Sequence, residues 1–337
     1  MTQPGSVGST ERRRGHEAAA QPIALIVAGP TTSGKSALAL AIAERWGGTV
    51  INADAMQCYR ELRVVTARPS PEDEARAPHA LYGVLPAAQA GHVAWWREAA
   101  LAEMARTKLP ILCGGTGMYL RALTQGISAL PEVTPEAREE ARALLAELGS
   151  QEMHARLHPE DSGLRPSDGQ RIARAYEVWR STGRSIASWH REAPVLPSAP
   201  YRFRAILLDP PREALREAIV ARWSSMMGQG ALEEVAALQA QGLDPTLPAM
   251  RAHGVPELAA LLRGELDEAE ASRRAIAHTV AYTKRQATWF RHQILVEPQL
   301  THRINARYAG LEKFSERKFP DLFAFLHEAV DAPQHGP

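Results

Sequence analysis

Gly29-Pro30-Thr31-Thr32-Ser33-Gly34-Lys35-Ser36 satisfies the pattern G-x-x-x-x-G-K-[ST] at every constrained position. Residues of these types bind phosphate. The glycines let the backbone curl until successive N–H groups aim at one anion; Lys35 adds a full positive charge, and the Ser36 hydroxyl can ligate Mg²⁺. The pattern specifies a di- or triphosphate without saying which, and ATP-binding is the commonest use of such nucleotide-binding loops. Two further groups close apolar runs: Asp54 ends TVINAD, and Thr116 lies in the glycine turn of KLPILCGGTG. A carboxylate there can take a proton, or it can cap a helical turn starting at AMQCYR. Thr116 can bond a phosphate oxygen, orient an attacking group, or act simply as a turn residue.

Such groups need a scaffold that brings them to one edge. PIALIVAGP is a short apolar run rich in Ile and Val that stops at Gly-Pro, the mark of a buried strand entering a loop. SALALAIAERWG is built of helix formers and ends in glycine. TVINAD, KLPILCGGTG and YRFRAILLDP read as further strands, and strands alternating with helices predict a parallel α/β sheet. From 131 to 199 the texture is helical with no strand signal, which marks an insertion, and PVLPSAP is its return linker. Core segments are then expected at 22–130 and 200–330, the latter alternating helices with Gly/Pro breaks. Residues 1–21 are polar and Gly/Ser-rich and read as a disordered tail; DAPQHGP reads as a frayed end.

Bulk properties narrow the partners. With 337 residues and a net charge of +1, any nucleic acid must be met by clustered basic residues, since overall charge supplies no attraction. Cys58 and Cys113 have no CxxC or Cys/His spacing around them, so a disulfide framework or zinc site is not expected. No run has the length of a membrane span, and the N-terminus lacks the apolar stretch of a secretory signal, so a cytoplasmic enzyme with no membrane partner is the default. A monomer is the simplest expectation.

Read as a helix, 271–292 separates into two faces. Arg274, His278, Arg285 and His292 fall on one side, and Ile276, Val280, Ala287 and Phe290 on the other, with no Asp or Glu in the span. A solvated helix usually mixes charge signs, so this face suits phosphate contact. In 170–180, Ile172, Tyr176 and Trp179 form an apolar stripe expected to pack inward, with Gln170 and Arg174 pointing away.

Five blocks in order carry a resemblance: the phosphate loop; Asp54-Ala55-Met56-Gln57-Cys58-Tyr59-Arg60 followed by Thr66-Ala67-Arg68-Pro69; Gly114-Gly115-Thr116-Gly117-Met118-Tyr119-Leu120; Gln170-Arg171-Ile172-Ala173-Arg174-Ala175; and Lys284-Arg285-Gln286-Ala287-Thr288-Trp289-Phe290-Arg291. Over most of its length the chain resembles the bacterial tRNA dimethylallyltransferase (isopentenyltransferase) family. The resemblance implies a P-loop NTPase-like α/β core with a helical insertion that grips the tRNA anticodon stem-loop. It implies that the loop holds dimethylallyl diphosphate with Mg²⁺, and that the acceptor is the amine of the adenosine 3′ of the anticodon in tRNAs reading U-starting codons. Asp54 would be the general base, Lys35, Ser36 and Thr116 would assist, and Arg222 would reach the diphosphate unless it is an ordinary surface arginine. RNA contacts would come from Asp54, Ala55, Met56, Gln57, Thr116, Arg138, Gln170, Arg171, Ile172, Ala173, Arg174, Arg274, His278 and Arg285. Because the target base must leave its stack, the site should be a channel open at both ends.

Three blocks depart from the family pattern. Val65-Thr66-Ala67-Arg68-Pro69 replaces Gly-Thr-Ala-Lys-Pro, His79-Ala80-Leu81-Tyr82-Gly83 replaces a segment with paired histidines, and Gly254-Val255-Pro256-Glu257 replaces Gly-Tyr-Lys-Glu. The last change removes a ring and a cation from an RNA-contact loop, where Arg251 and His253 could substitute. The competing readings are a P-loop small-molecule kinase, with Asp209 after AILL as its magnesium carboxylate; a non-catalytic RNA-binding protein; and an enzyme that prenylates free adenosine phosphates, as adenylate isopentenyltransferases do.

Overall fold

The computed structural model describes residues 21–128, 130–192, 195–310 and 314–330; the N-terminal tail before Gln21 and the segment 331–337 lie outside them. Eight strands occur among the described residues: β1 Ile23–Ala28, β2 Thr49–Asn52, β3 His79–Ala80, β4 Pro110–Gly114, β5 Ile127–Ser128, β6 Val195–Leu196, β7 Arg202–Leu208 and β8 Thr301–Ile304. Six of them form one parallel sheet in the order β3-β2-β4-β1-β7-β8. The helices are α1 Lys35–Trp46, α2 Pro71–Arg76, α3 Val93–Met104, α4 Gly117–Thr124, α5 Pro135–Ala155, α6 Gly169–Thr182, α7 Ile186–Glu192, α8 Arg212–Gly228, α9 Ala231–Gln239, α10 Val255–Leu262, α11 Glu268–His292 and α12 Pro320–Val330.

Side-chain alternation along the strands makes two cores, one on each face of the sheet. Ala24, Ile26, Ala28, Ile51, Leu112, Ala205 and Leu207 join α3, α4 and α8–α11 through Trp96, Leu120, Trp223, Val235, Leu258 and Phe290. Leu25, Val27, Val50, Ile111, Ile206 and Leu208 join α1 and α12 through Leu38, Ile42, Leu322 and Leu326. Burial on both faces is why β1 and β4 are unbroken apolar runs.

The register fixes what leaves the sheet together. Ala28 pairs with Gly114, and Asn52 with Cys113, so the loops beginning at Gly29, Ala53 and Gly115 emerge side by side at the carboxyl edge. That edge is where open α/β sheets bind ligands.

The insertion leaves through a small antiparallel ribbon in which Ile127 faces Leu196 and Ser128 faces Val195. So the segment expected to be a plain linker contains β6. Beyond the ribbon, α5 (interrupted at Gly149, φ 73°) packs on α6 around Ala141, Met153, Leu157, Ile172, Ala175 and Tyr176. Tyr176 and half-buried Trp179 meet edge-on at 5.8 Å, inside this core as expected. The reading of the region after Pro211 as helices and breaks missed β8. Its four residues include His302 and Arg303, and their polar character hides an edge strand.

Cys58 and Cys113 are free and buried, and burial pushes their thiols up to about 12 and about 11. Since only the thiolate is the reactive form, both should resist iodoacetamide in the folded protein at about pH 8 and react on unfolding in guanidinium. Rapid labelling of the native protein, followed by mass, would contradict this packing.

Candidate active site

The phosphate loop is held open by its own sequence and by the C-terminal segment. Thr32 takes φ 64°, in the left-handed region, and Ser33 N donates to Pro30 O at 3.2 Å to close the turn. Gly34 (φ 93°) is irreplaceable on space as well, because a Cβ there would lie 1.8 Å from the Tyr308 carbonyl. Two loop carbonyls face that segment: Arg307 Nε donates to Thr32 O at 2.7 Å and Tyr308 N to Ser33 O at 3.0 Å. The first turn of α1 carries no acidic residue, so its positive end stays unneutralised. Ser33 Oγ is buried with no hydrogen-bond partner among the described residues, and Lys35 is buried beside it in sequence. Burial holds the Lys35 ammonium below its ordinary range, with Asp54 opposing that shift. Ser36 is exposed, and its hydroxyl hydrogen-bonds the Cys113 thiol.

Asp54 leaves β2 through a clamp. Asn52 is fully buried; its Oδ1 accepts the Asp54 N–H at 2.8 Å, while its amide donates to Asp54 O and Leu81 O. Trp96 Nε1 in turn donates to Asn52 O at 2.8 Å. Thr116 closes the other side: its N–H donates to Ala53 O, and its hydroxyl accepts the Ala55 N–H at 3.0 Å. The capping reading of Asp54 is met. One oxygen accepts the Met56 N–H at 3.0 Å and caps the short turn that follows; the other takes no hydrogen bond from a described residue, and Asp54 lines a cavity.

That cavity lies between the loop, α8 and α11. Thr31, Thr32, Asp54 and Arg222 make its polar part; Val65, Ile219, Trp223, Met226 and Ile276 make an apolar wall. Arg222 is no surface arginine. Burial depresses its guanidinium pKa, Asp54 opposes the shift, one Nη donates to Thr66 O at 3.2 Å, and its buried Nε has no partner among the described residues. Buried Lys35 and half-buried Arg222 thus face one carboxylate, which leaves the site short of negative charge.

A second groove shares Ala252 and His253 with the cavity and is otherwise lined by Arg251, Pro256, Glu257, His278, Ala281 and Arg285. Burial keeps the His253 pKa low, Arg285 lowers it further, and its ring lies 4.5 Å from that of Tyr282. Arg285 stands 5.5 Å over the same tyrosine. So Arg251, His253, His278 and Arg285 converge at one mouth of the cavity.

The structure corrects several expected RNA contacts. Ile172 is 0% exposed in the insertion core and is withdrawn from any surface. Gln57 is buried, its amide committed to Thr66 O and Ala67 O, both at 2.9 Å. The basic face of α11 is not unbroken, because the helix starts upstream at Glu268, and Glu270 pairs with Arg273 and Arg274, each at 2.6 Å. His278 sits 2.5 Å from buried Glu257. Arg138, Gln170 and Arg171 are exposed on the insertion, Arg171 beside Asp168 at 3.4 Å; Ala173 and Arg174 are half-buried, Arg174 paired with Glu177 at 3.2 Å. Met56 lines the cavity, and the Ala55 N–H is taken by Thr116.

Residues without an assigned role in the sequence turn out to build the site. Gln286, buried on α11, accepts the Thr31 N–H and donates to Gly115 O. Glu234 accepts the N–H groups of Arg63, Val64 and Val65 at 2.7, 2.7 and 2.9 Å, holding the loop that leads to Thr66. A carboxylate on one helix gives no sequence sign that it will meet a loop so far away in the chain. In the altered 65–69 block, Arg68 donates to Tyr59 O and Arg60 O and packs on Gly83, which gives it a local structural job. Asp209 is held by Arg291 in a two-pronged pair at 2.8 and 2.7 Å, so the kinase reading loses its magnesium carboxylate.

Fold and site define an α/β P-loop enzyme with a phosphate cradle and a carboxylate at one sheet edge. Residues 57–293 match the family described as IPP transferase, and residues 22–80 that described as isopentenyl transferase. The tRNA dimethylallyltransferase of Granulibacter bethesdensis is 56% identical over 311 residues, covering 90% of this chain and 97% of that one. That of Acidiphilium cryptum is 57% identical over 312 residues, covering 91% and 95%. The fold is shared with the full-length tRNA isopentenylpyrophosphate transferase from Bacillus halodurans (TM-score 0.64, 24% identity, 92% of this chain and 97% of that one). It is shared also with a eukaryotic dimethylallyltransferase acting on tRNA (TM-score 0.71, 20% identity, 91% and 80%). The chain belongs to the IPP transferase family.

Close backbone approach at this edge predicts a contrast between two glycines. A Cβ on Gly114 would lie 2.1 Å from the Ala53 backbone, whereas one on Gly163 would meet nothing within 4 Å. Gly114→Ala should cost about 1–3 kcal/mol in urea unfolding and Gly163→Ala well under ~1 kcal/mol. Equal midpoints for the two variants would refute the contact.

Proposed function

We infer that this protein transfers the dimethylallyl group of dimethylallyl diphosphate to the exocyclic amine of an adenosine in tRNA, the one 3′ of the anticodon in tRNAs reading U-starting codons. The observation that carries the reading is the surroundings of Asp54: Lys35 and Arg222 both act electrostatically on its carboxylate, and the cavity it lines shares Ala252 and His253 with a groove carrying Arg251 and Arg285. The diphosphate would occupy the loop, with Ser33 Oγ and Arg222 Nε as donors that have no partner among the described residues. The amine nitrogen would attack the allylic carbon as that carbon's bond to the diphosphate oxygen breaks, and the amine proton would pass to the free oxygen of Asp54. The electron pair of the broken bond leaves on the diphosphate, where Lys35, Arg222 and the loop N–H groups meet the growing charge. Thr116 would hold the Asp54 loop in place from behind.

Among the described residues there is no cluster of three His, Cys, Asp or Glu side chains fit to cage a metal. That suits Mg²⁺, which takes most of its ligands from phosphate and water, with the Ser36 hydroxyl as the protein donor. When bound it would neutralise the leaving group. RNA would lie along Arg251, His253, Arg285 and the insertion surface of Arg138, Gln170 and Arg171. No helix among the described residues is long and apolar enough to cross a membrane. Action in the cytoplasm, as a monomer, completes the reading.

Labelled dimethylallyl diphosphate should be incorporated into bulk tRNA with Mg²⁺ and without ATP turnover. Asp54→Asn should lower kcat at least ~100-fold with RNA affinity retained. ATP hydrolysis without transfer, or full activity in Asp54→Asn, would refute the assignment.

A further inference from the structure

We propose that Gln286 is a positioning residue that locks the diphosphate loop to the acceptor side of the cavity through its carboxamide; this rests on the prenyl-transfer reading above. Its Oε1 accepts the Thr31 N–H at 2.9 Å, and its Nε2 donates to the Gly115 carbonyl at 3.0 Å. The side chain is only 4% exposed, in the middle of α11. A buried amide is kept in a helix only where its donors and acceptors are met, and here those partners lie on two loops remote from it in sequence.

Both loops belong to the reaction site. Thr31 lines the cavity within the phosphate loop, and Gly115 immediately precedes Thr116, whose hydroxyl holds the Ala55 N–H next to Asp54. One carboxamide therefore fixes the distance between the donor cradle and the Asp54–Thr116 wall. The approach is built in from the other side too, because a Cβ on Gly115 would lie 2.2 Å from Nε2. Tyr282, on the same face one turn earlier, lines the cavity, so the helix that carries the amide also forms part of that wall. Gln286 does not line the cavity, so it acts on the reaction through the groups it holds. A small error in the separation of reacting groups is enough to cost a large factor in rate.

Glutamate at this position is a discriminating probe. As a carboxylate it cannot donate to the Gly115 carbonyl; as a protonated acid it can make both bonds of the native amide. The experiment uses the full chain as wild type, Gln286→Ala and Gln286→Glu. Transfer from labelled dimethylallyl diphosphate to an anticodon stem-loop RNA is followed against pH. Inorganic diphosphate binding with Mg²⁺, RNA binding and Tm are measured in parallel.

Both variants should lose roughly 100-fold in kcat/KM and bind diphosphate about tenfold more weakly, with RNA affinity unchanged. Gln286→Glu alone should recover, relative to wild type at the same pH, as pH falls and its side chain takes up a proton. Wild-type kinetics and diphosphate affinity in Gln286→Ala would overturn the proposal. So would losses that track Tm with no recovery of Gln286→Glu at low pH. Failure of the wild type to transfer would instead refute the proposed reaction, and the diphosphate titration would still decide whether Gln286 sets the cradle.

Discussion

Gly114 can touch the Ala53 backbone only because it has no side chain, and the geometry of the whole site follows from that touch. With the ends of β2 and β4 this close, Ala53 N reaches Cys113 O and Thr116 N reaches Ala53 O, so two loops from different strands leave as one hydrogen-bonded unit. Asp54 and Thr116 are carried on that unit. On the other side of β4 the register with β1 places Gly29 level with it, which brings the phosphate loop alongside. Glycines 115 and 117 extend the same logic outward: Gln286 and the Trp289 ring lie where their Cβ atoms would be, so α11 can press down on the sheet edge. Side-chain-free backbone is thus the material from which the contact between three loops and one helix is made.

Charge explains why this edge waits for an anion. Lys35 and Arg222 are both buried enough for desolvation to depress their pKa values, and Asp54 is the acid that opposes the shift at each. One carboxylate cannot offset a buried and a half-buried cation, and donors at Ser33 and Arg222 have no partner among the described residues. Burying charge and donors unmet is costly, so such a cluster is stable in function only with a ligand that returns the missing negative charge. Under the proposed function a diphosphate would do so, and its departure with more charge than it brought would be the event the same cluster favours most.

The sequence was most legible where local chemistry and period agree. The phosphate loop, the strands at 22–30, 49–54 and 108–117, and the inward stripe of Tyr176 and Trp179 can all be read because strand, turn and helix signals are local. What could not be read depends on pairing across the chain. β3 and β8 are short edge strands whose residues have no alternation to notice, and β6 hides among prolines. At the site, Lys35, Asp54 and Arg222 were identified as residues, yet the acid on which Arg273 and Arg274 spend their charge lies just upstream of the span that was counted. Gln286 stood inside a quoted motif with no role, since an amide announces nothing until its partners are known.

The altered loop at 254–257 shows how a family position can change without losing its frame. Gly254 takes φ 97° and lies against the Trp223 ring, so the turn is still fixed by glycine. Pro256 sits in the first turn of α10, where its missing N–H costs nothing and its fixed φ stiffens the start of the helix. Glu257 is buried; it accepts the Gly254 N–H through one oxygen and meets His278 through the other, which ties the loop to α11. A ring and a cation of the kind the loop itself lacks stand on α11, as Tyr282 with Arg285 above it, and His253 lies against the same ring. Under the proposed function, the recognition surface has therefore moved from a loop onto a helix. A helix gives up less conformational entropy on binding, so fewer contacts are needed to hold the same RNA.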